Sequence, residues 1–122
     1  MVSRYTSPVD QTSSELLPPG WADSTGYARY YTAAAGSAYH TGSDLNKNTP
    51  KWDSDAHMPV YAIADGVVTC AKEFPVWGNI IVVDHVSPDG KPLYARYAHV
   101  EAMEMYVKYG DIVKRGQQIA RI

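Results

Sequence analysis

The pattern of hydrophobic and polar positions changes texture near Pro59. Upstream, residues 1–26 are rich in Ser, Thr and Pro around Leu16-Leu17-Pro18-Pro19-Gly20-Trp21 and hold no sustained strand or helix period. That composition reads as a leader or linker draped over the domain formed by residues 27–122. From Tyr27 to Tyr31 the aromatics alternate loosely around Arg29, as a strand leading to the loop at His40 would. Residues 46–57 mix Asn, Pro, Lys, Trp and Asp without period and predict a long loop. From Pro59 onward, short β-rich runs are punctuated by turn residues. Val60-Tyr61-Ala62-Ile63-Ala64 and Val67-Val68-Thr69-Cys70-Ala71 flank Asp65-Gly66, the signature of a hairpin. Asn79-Ile80-Ile81-Val82-Val83-Asp84-His85 is the most apolar strand. Ser87-Pro88-Asp89-Gly90 turns it back into Leu93-Tyr94-Ala95-Arg96-Tyr97-Ala98-His99. By strict alternation Leu93, Ala95, Tyr97 and His99 share one face of that strand and Arg96 takes the other. A last turn within residues 110–122 is flanked by short strands. The expected fold is mostly β, a single antiparallel β-sheet domain, with residues 118–122 left exposed at a sheet edge and prone to self-association.

Composition narrows the classes. A chain of 122 residues suits one domain, and a net charge of -2 with scattered lysines and arginines offers no basic field, so nucleic acid is not an expected partner. No apolar stretch approaches the roughly 20 residues of a membrane span, and no secretory pattern opens the chain. Cys70 stands alone, which precludes an internal disulfide and predicts a small, partly buried thiol. Ten tyrosines and three tryptophans against one phenylalanine favour strands and ring-lined polar surfaces suited to a peptide or glycan.

The candidate chemistry begins in Tyr39-His40-Thr41-Gly42-Ser43-Asp44-Leu45-Asn46. A neutral imidazole and a carboxylate four residues apart, bent around a glycine, can meet on one cation of zinc-like character. They supply two ligands, whereas catalytic zinc normally takes three plus water. Without more, Asp44 capping backbone amides and His40 packing on Tyr39 explain the pair better, because the spacing occurs often by chance. Asn46, Asn48 and Trp52 follow in the loop and are candidates to line a peptide groove by amide hydrogen bonds and stacking. His57, in the polar loop, reads as solvated, and His85, closing a strand, reads as structural.

Four landmarks in order resemble the lysostaphin/LytM-type zinc metallopeptidases, which cut peptide bonds in bacterial peptidoglycan. They are His40-Thr41-Gly42-Ser43-Asp44; Pro59-Val60-Tyr61-Ala62-Ile63-Ala64-Asp65-Gly66-Val67-Val68; Gly78-Asn79-Ile80-Ile81-Val82-Val83-Asp84-His85 with Tyr97-Ala98-His99; and Val107-Lys108-Tyr109-Gly110-Asp111-Ile112-Val113-Lys114-Arg115-Gly116-Gln117-Gln118-Ile119. The resemblance implies that His40 and Asp44 are ligands of Zn2+ and that His99 faces the cation as a catalytic imidazole. It implies a duplicated-hybrid-motif sheet, zinc that polarises the scissile carbonyl and activates water, and His99 hydrogen-bonding the water or the oxyanion. The substrate would be peptidoglycan peptide, and the place of action extracellular or the cell envelope.

One departure accompanies the agreement. The third ligand and the usual general base of that family form a His-x-His pair downstream of the Gly-Asp…Gly-Gln segment, and no histidine follows His99 here. Residues 27–122 are therefore expected to be the N-terminal portion of the domain, cut short before that pair, and inactive or nearly so on their own. The alternative is a non-catalytic LytM-like module that binds cell-wall peptide or a protein partner; a purely structural sheet domain is a third reading. Met103-Glu104-Met105 mimics the biotin-accepting hairpin of carboxylase carrier domains, but a glutamate occupies the place of the lysine that forms the amide. Oligomeric state is not legible.

Overall fold

A computed structural model describes residues 5–11, 17–25, 27–33, 36–101 and 106–122. All regular structure among them is strand, and the pairings are antiparallel. The Met103-Glu104-Met105 run lies outside the described residues. The chain gathers into two compact units, Pro19–Asp55 on one hand and Met1–Pro18 with Ala56–Ile122 on the other.

In the larger unit, β6 (Gly66–Phe74), β7 (Gly78–Val86), β8 (Pro92–Val100) and β9 (Ile112–Val113) form a sheet of order β8-β7-β6-β9. β7 takes the centre because its β-branched run fits a pleat enclosed on both edges, and Ile80, Ile81, Val83 and His85 are buried along it. The turn into β8 forms where Ser87-Pro88-Asp89-Gly90 predicts it, closed by the Gly90 N–H donating to the Ser87 carbonyl at 2.9 Å, with Gly90 at φ 83°. Asp89 is braced by the Ser87 hydroxyl and the Lys91 amide, and the hydroxyl contact above all holds its carboxyl below the usual range.

The hairpin expected at Asp65-Gly66 does not form. β5 (Pro59–Tyr61) pairs with β10 (Gln118–Arg121), whereas β6 pairs with β7 and β9. Gly66 is needed for close approach rather than for a turn: a Cβ there would meet His85 Nδ1 at 2.7 Å and Val83 Cγ1 at 2.8 Å, besides the Asp84 carbonyl. The Asp65 carboxylate instead accepts the Arg115 amide at 2.8 Å, which with nearby Lys114 holds it below the ordinary aspartate value. The β6–β7 reversal falls at Pro75-Val76-Trp77.

The expected exposed terminal strand is also corrected. β10 lies along β5, and its other edge is met by the Glu101 and Tyr106 amides, which donate to the Arg121 and Ile119 carbonyls at 3.1 Å each. Ile119 and Ala120 are fully buried in the core with Val60, Val68, Ile81 and Val113. These partners satisfy the backbone groups that were expected to be orphaned. Residues 6 and 8 run beside β5, with Thr6 donating to Ile63 and Pro8 accepting from Tyr61, and Ser7 Oγ capping the amides of Val9 and Asp10.

In the smaller unit, β1 (Ala22–Asp23) pairs with β4 (Leu45–Asn46), and β2 (Tyr30–Ala33) with β3 (Gly36–Tyr39). Tyr30 and Tyr39 face each other across the hairpin, ring centroids 5.3 Å apart and edge-on, a favoured cross-strand aromatic pair.

Candidate metal and catalytic site

His40 and Asp44 bracket the turn between β3 and β4, both half-buried. Backbone bonds anchor His40 on each side: its amide donates to the Arg29 carbonyl at 2.8 Å, and its carbonyl accepts from Ala28 at 2.6 Å. Asp44 is fixed by residues of β1 and the turn after it. Its amide donates to Asp23 Oδ1 at 2.9 Å, its carbonyl accepts from the Ser24 amide at 2.9 Å, and its Oδ2 accepts from the Thr25 hydroxyl at 2.8 Å. A carboxylate with one oxygen held by a hydroxyl and its backbone tied at both ends has little freedom to rotate. Asp23-Ser24-Thr25, a run of turn-forming polar residues, was the available signal for this brace, yet it fell within the stretch read as leader or linker. Gly42 has no positive φ and a Cβ on it would meet nothing within 4 Å, so the loop's path does not require glycine there.

The donor set of one imidazole and one carboxylate suits a zinc-like cation, but it is partial. Among the described residues, no group of three His, Cys, Asp or Glu side chains is assembled to hold a metal ion. Of the proposed peptide-groove residues, Asn46 spends its side-chain amide on Ser24 Oγ at 2.8 Å and the Asp44 carbonyl at 2.9 Å. Asn48 is exposed and Trp52 is 83% exposed.

His99 belongs to the larger unit, where the structure corrects its expected face. Asn79 pairs with Val100 and Ile80 with Ala98, so His99 is the extra residue of a β-bulge, at φ 61°. Tyr97 and Val100 are buried while His99 is exposed, which breaks the alternation that would have aligned Tyr97 with His99. Bulges re-aim side chains in this way. The His99 ring lies against Trp77 with centroids 6.1 Å apart, and the Arg96 guanidinium sits 5.7 Å from the Trp77 ring centroid. Alternation puts Arg96 on the face opposite His99; through Trp77 the two belong to one surface cluster.

Tyr97 anchors the strand just before the bulge. Its hydroxyl accepts the Ile63 amide at 3.0 Å, and burial pushes its pKa up to about 12. His85 is buried, 2% exposed, with Nδ1 2.7 Å from the Asp65 carbonyl and Nε2 without a partner. Nδ1 is therefore the protonated nitrogen, and the ring serves as a core prop, in keeping with its structural reading. His57 is exposed and pairs through Nδ1 with Glu101 at 2.8 Å.

The model for peptidase family M23 matches residues 38–122, a span that includes His40, Asp44 and His99. The chain belongs to peptidase family M23. Among known proteins it is similar to the peptidoglycan DD-endopeptidase ShyB of Vibrio cholerae, 36% identical over 81 residues, covering 66% of this chain and 17% of the relative. It is also similar to the peptidoglycan DD-endopeptidase ShyA of the same organism, 39% identical over 61 residues, covering 50% of this chain and 13% of the relative. The chain thus spans about a sixth or less of the length of these relatives.

Proposed function

We propose that this chain carries part of a zinc-dependent endopeptidase that hydrolyses peptide bonds of bacterial peptidoglycan. The observation that supports it most is the M23 match across a stretch holding His40, Asp44 and His99, together with a bulge that lifts His99 out of the sheet. His40 and Asp44 would hold the metal, with Thr25 fixing the orientation of Asp44. Bound zinc supplies Lewis acidity toward the scissile carbonyl and toward water. His99 would hydrogen-bond the attacking water or the carbonyl oxygen as it gains charge. Asn46, Asn48 and Trp52 are the proposed peptide contacts in the loop after Asp44. The site of action proposed is the cell envelope or the extracellular wall; among the described residues there is no helix long and apolar enough to cross a membrane.

No histidine follows His99 in these 122 residues, so they do not supply the His-x-His pair the family resemblance calls for. Residues 1–122 alone are proposed to be inactive or nearly so, with turnover restored when that pair is provided. The second reading is a non-catalytic LytM-like module that binds cell-wall peptide or a protein partner, for which the lack of a His-x-His pair in these 122 residues speaks. Incubating the peptidase, with the pair present, on purified cross-linked peptidoglycan and resolving the released muropeptides by mass spectrometry separates the two. Hydrolysis that stops on chelation and in His99→Ala supports the enzyme; binding to the wall without any released peptide supports the module.

A further inference from the structure

Two sparsely populated backbone conformations converge on one surface cluster. The Trp77 amide donates to the Pro75 carbonyl at 2.8 Å across Val76, which sits at φ 71°, a tight turn that a β-branched residue rarely adopts. His99 occupies the bulge of β8 at φ 61°. Strain of this kind persists where the surrounding structure enforces it and gathers at ligand-binding surfaces. What the two features present together is Trp77, 45% exposed, with the Arg96 guanidinium and the His99 imidazole packed on it. Among the described residues no carboxylate pairs with Arg96. A guanidinium laid on an indole is oriented by that contact, while its N–H donors stay available in the plane of the group.

Resting on the peptidase reading above, we propose that Arg96 and Trp77 form a subsite for a free carboxylate of the substrate peptide, next to His99. Arg96 takes the carboxylate through paired N–H donors, and the exposed indole of Trp77 receives the adjoining apolar side chain. The subsite thereby selects peptides with an anionic group near the bond that His99 addresses. The chemistry favours a peptide over a simple anion because the cation is joined to a flat apolar surface.

The 122-residue chain, labelled with 15N, is titrated with N-acetyl-D-Ala-D-Ala, with its C-terminal carboxamide, and with inorganic phosphate, following the Trp77 indole N–H signal. The acid is expected to move that signal and to bind about tenfold tighter than the carboxamide. Arg96→Gln is expected to bring the two peptides to equal affinity, and Arg96→Lys to retain part of the preference. A preserved spectrum elsewhere in Arg96→Gln shows that the fold is intact. Equal affinity of the wild-type chain for acid and carboxamide, no binding of either, an unchanged preference in Arg96→Gln, or phosphate binding as well as the acid would each overturn the subsite. These readouts need no turnover, so a protein that never hydrolyses peptidoglycan refutes the peptidase reading without deciding this one.

Discussion

Replacing Tyr97 by Phe removes one oxygen, and the structure fixes what that costs at each pH. The hydroxyl accepts the Ile63 amide at 3.0 Å, in a side chain left 9% exposed, and Ile63 itself is half-buried. Losing the acceptor leaves that amide poorly satisfied, which costs about 1–2 kcal/mol near neutrality. The alkaline range carries the opposite term. Burial raises the folded pKa of Tyr97 to about 12, against about 10 for an unfolded tyrosine. The neutral phenol is therefore favoured by folding: its contribution is whole below pH ~10 and is lost as pH rises toward the folded value. At about 1.4 kcal/mol per pH unit, the wild-type chain forfeits roughly 2 kcal/mol by pH ~11.5, a loss Tyr97→Phe is spared. Urea unfolding of both chains, followed by circular dichroism between pH 8 and pH ~11.5, should show the wild type more stable at pH 8 and the difference closing or reversing near pH ~11. A difference that stays constant across that range would refute the buried, neutral phenol as the anchor of β8.

Gly66→Ala should destabilise by about 3 kcal/mol, because the new Cβ meets the Asp84 carbonyl and the His85 ring, whereas Gly42→Ala should fall within about 0.5 kcal/mol; urea midpoints compare them. Thr25→Val should weaken Zn2+ binding by about ten- to a hundredfold in competition with a chromophoric chelator, and Thr25→Ser should restore most of it. Asp65 has a folded pKa depressed chiefly by the Arg115 amide, so its stabilisation is present above about pH 4 and is lost as pH falls below. Asp65→Asn should therefore be less stable than wild type at neutral pH and converge with it in acid, read from thermal melts between pH 2 and pH 7.

The strands written most plainly were those whose partners are adjacent in sequence. β7 and β8 with the turn at 87–90 follow from a β-branched run, a Pro-Asp-Gly turn and a second run. Pairing at a distance was not legible. Nothing local in Val60 to Ala64 says that its partner is residues 118–121, and Asp65-Gly66 carries turn chemistry although Gly66 is there to admit the Asp84 backbone and His85. The candidate site divides the same way. His40, Asp44 and His99 stand out as candidates only through ordered landmarks, and the extra residue that turns His99 to Trp77 leaves no mark in strict alternation. Thr25 was hidden for another reason. A short polar strand two dozen residues upstream looks like linker until its register with Leu45–Asn46 is known.

The proposed function turns on His40 and Asp44 holding one cation. Titrating the 15N-labelled chain with Co2+ and recording paramagnetic broadening residue by residue tests this directly. Saturable broadening of His40 and Asp44 together, weakened by His40→Ala and displaced by Zn2+, is the expected result. Broadening centred on His57 or elsewhere, with His40 and Asp44 left sharp or affected at different concentrations, would contradict it.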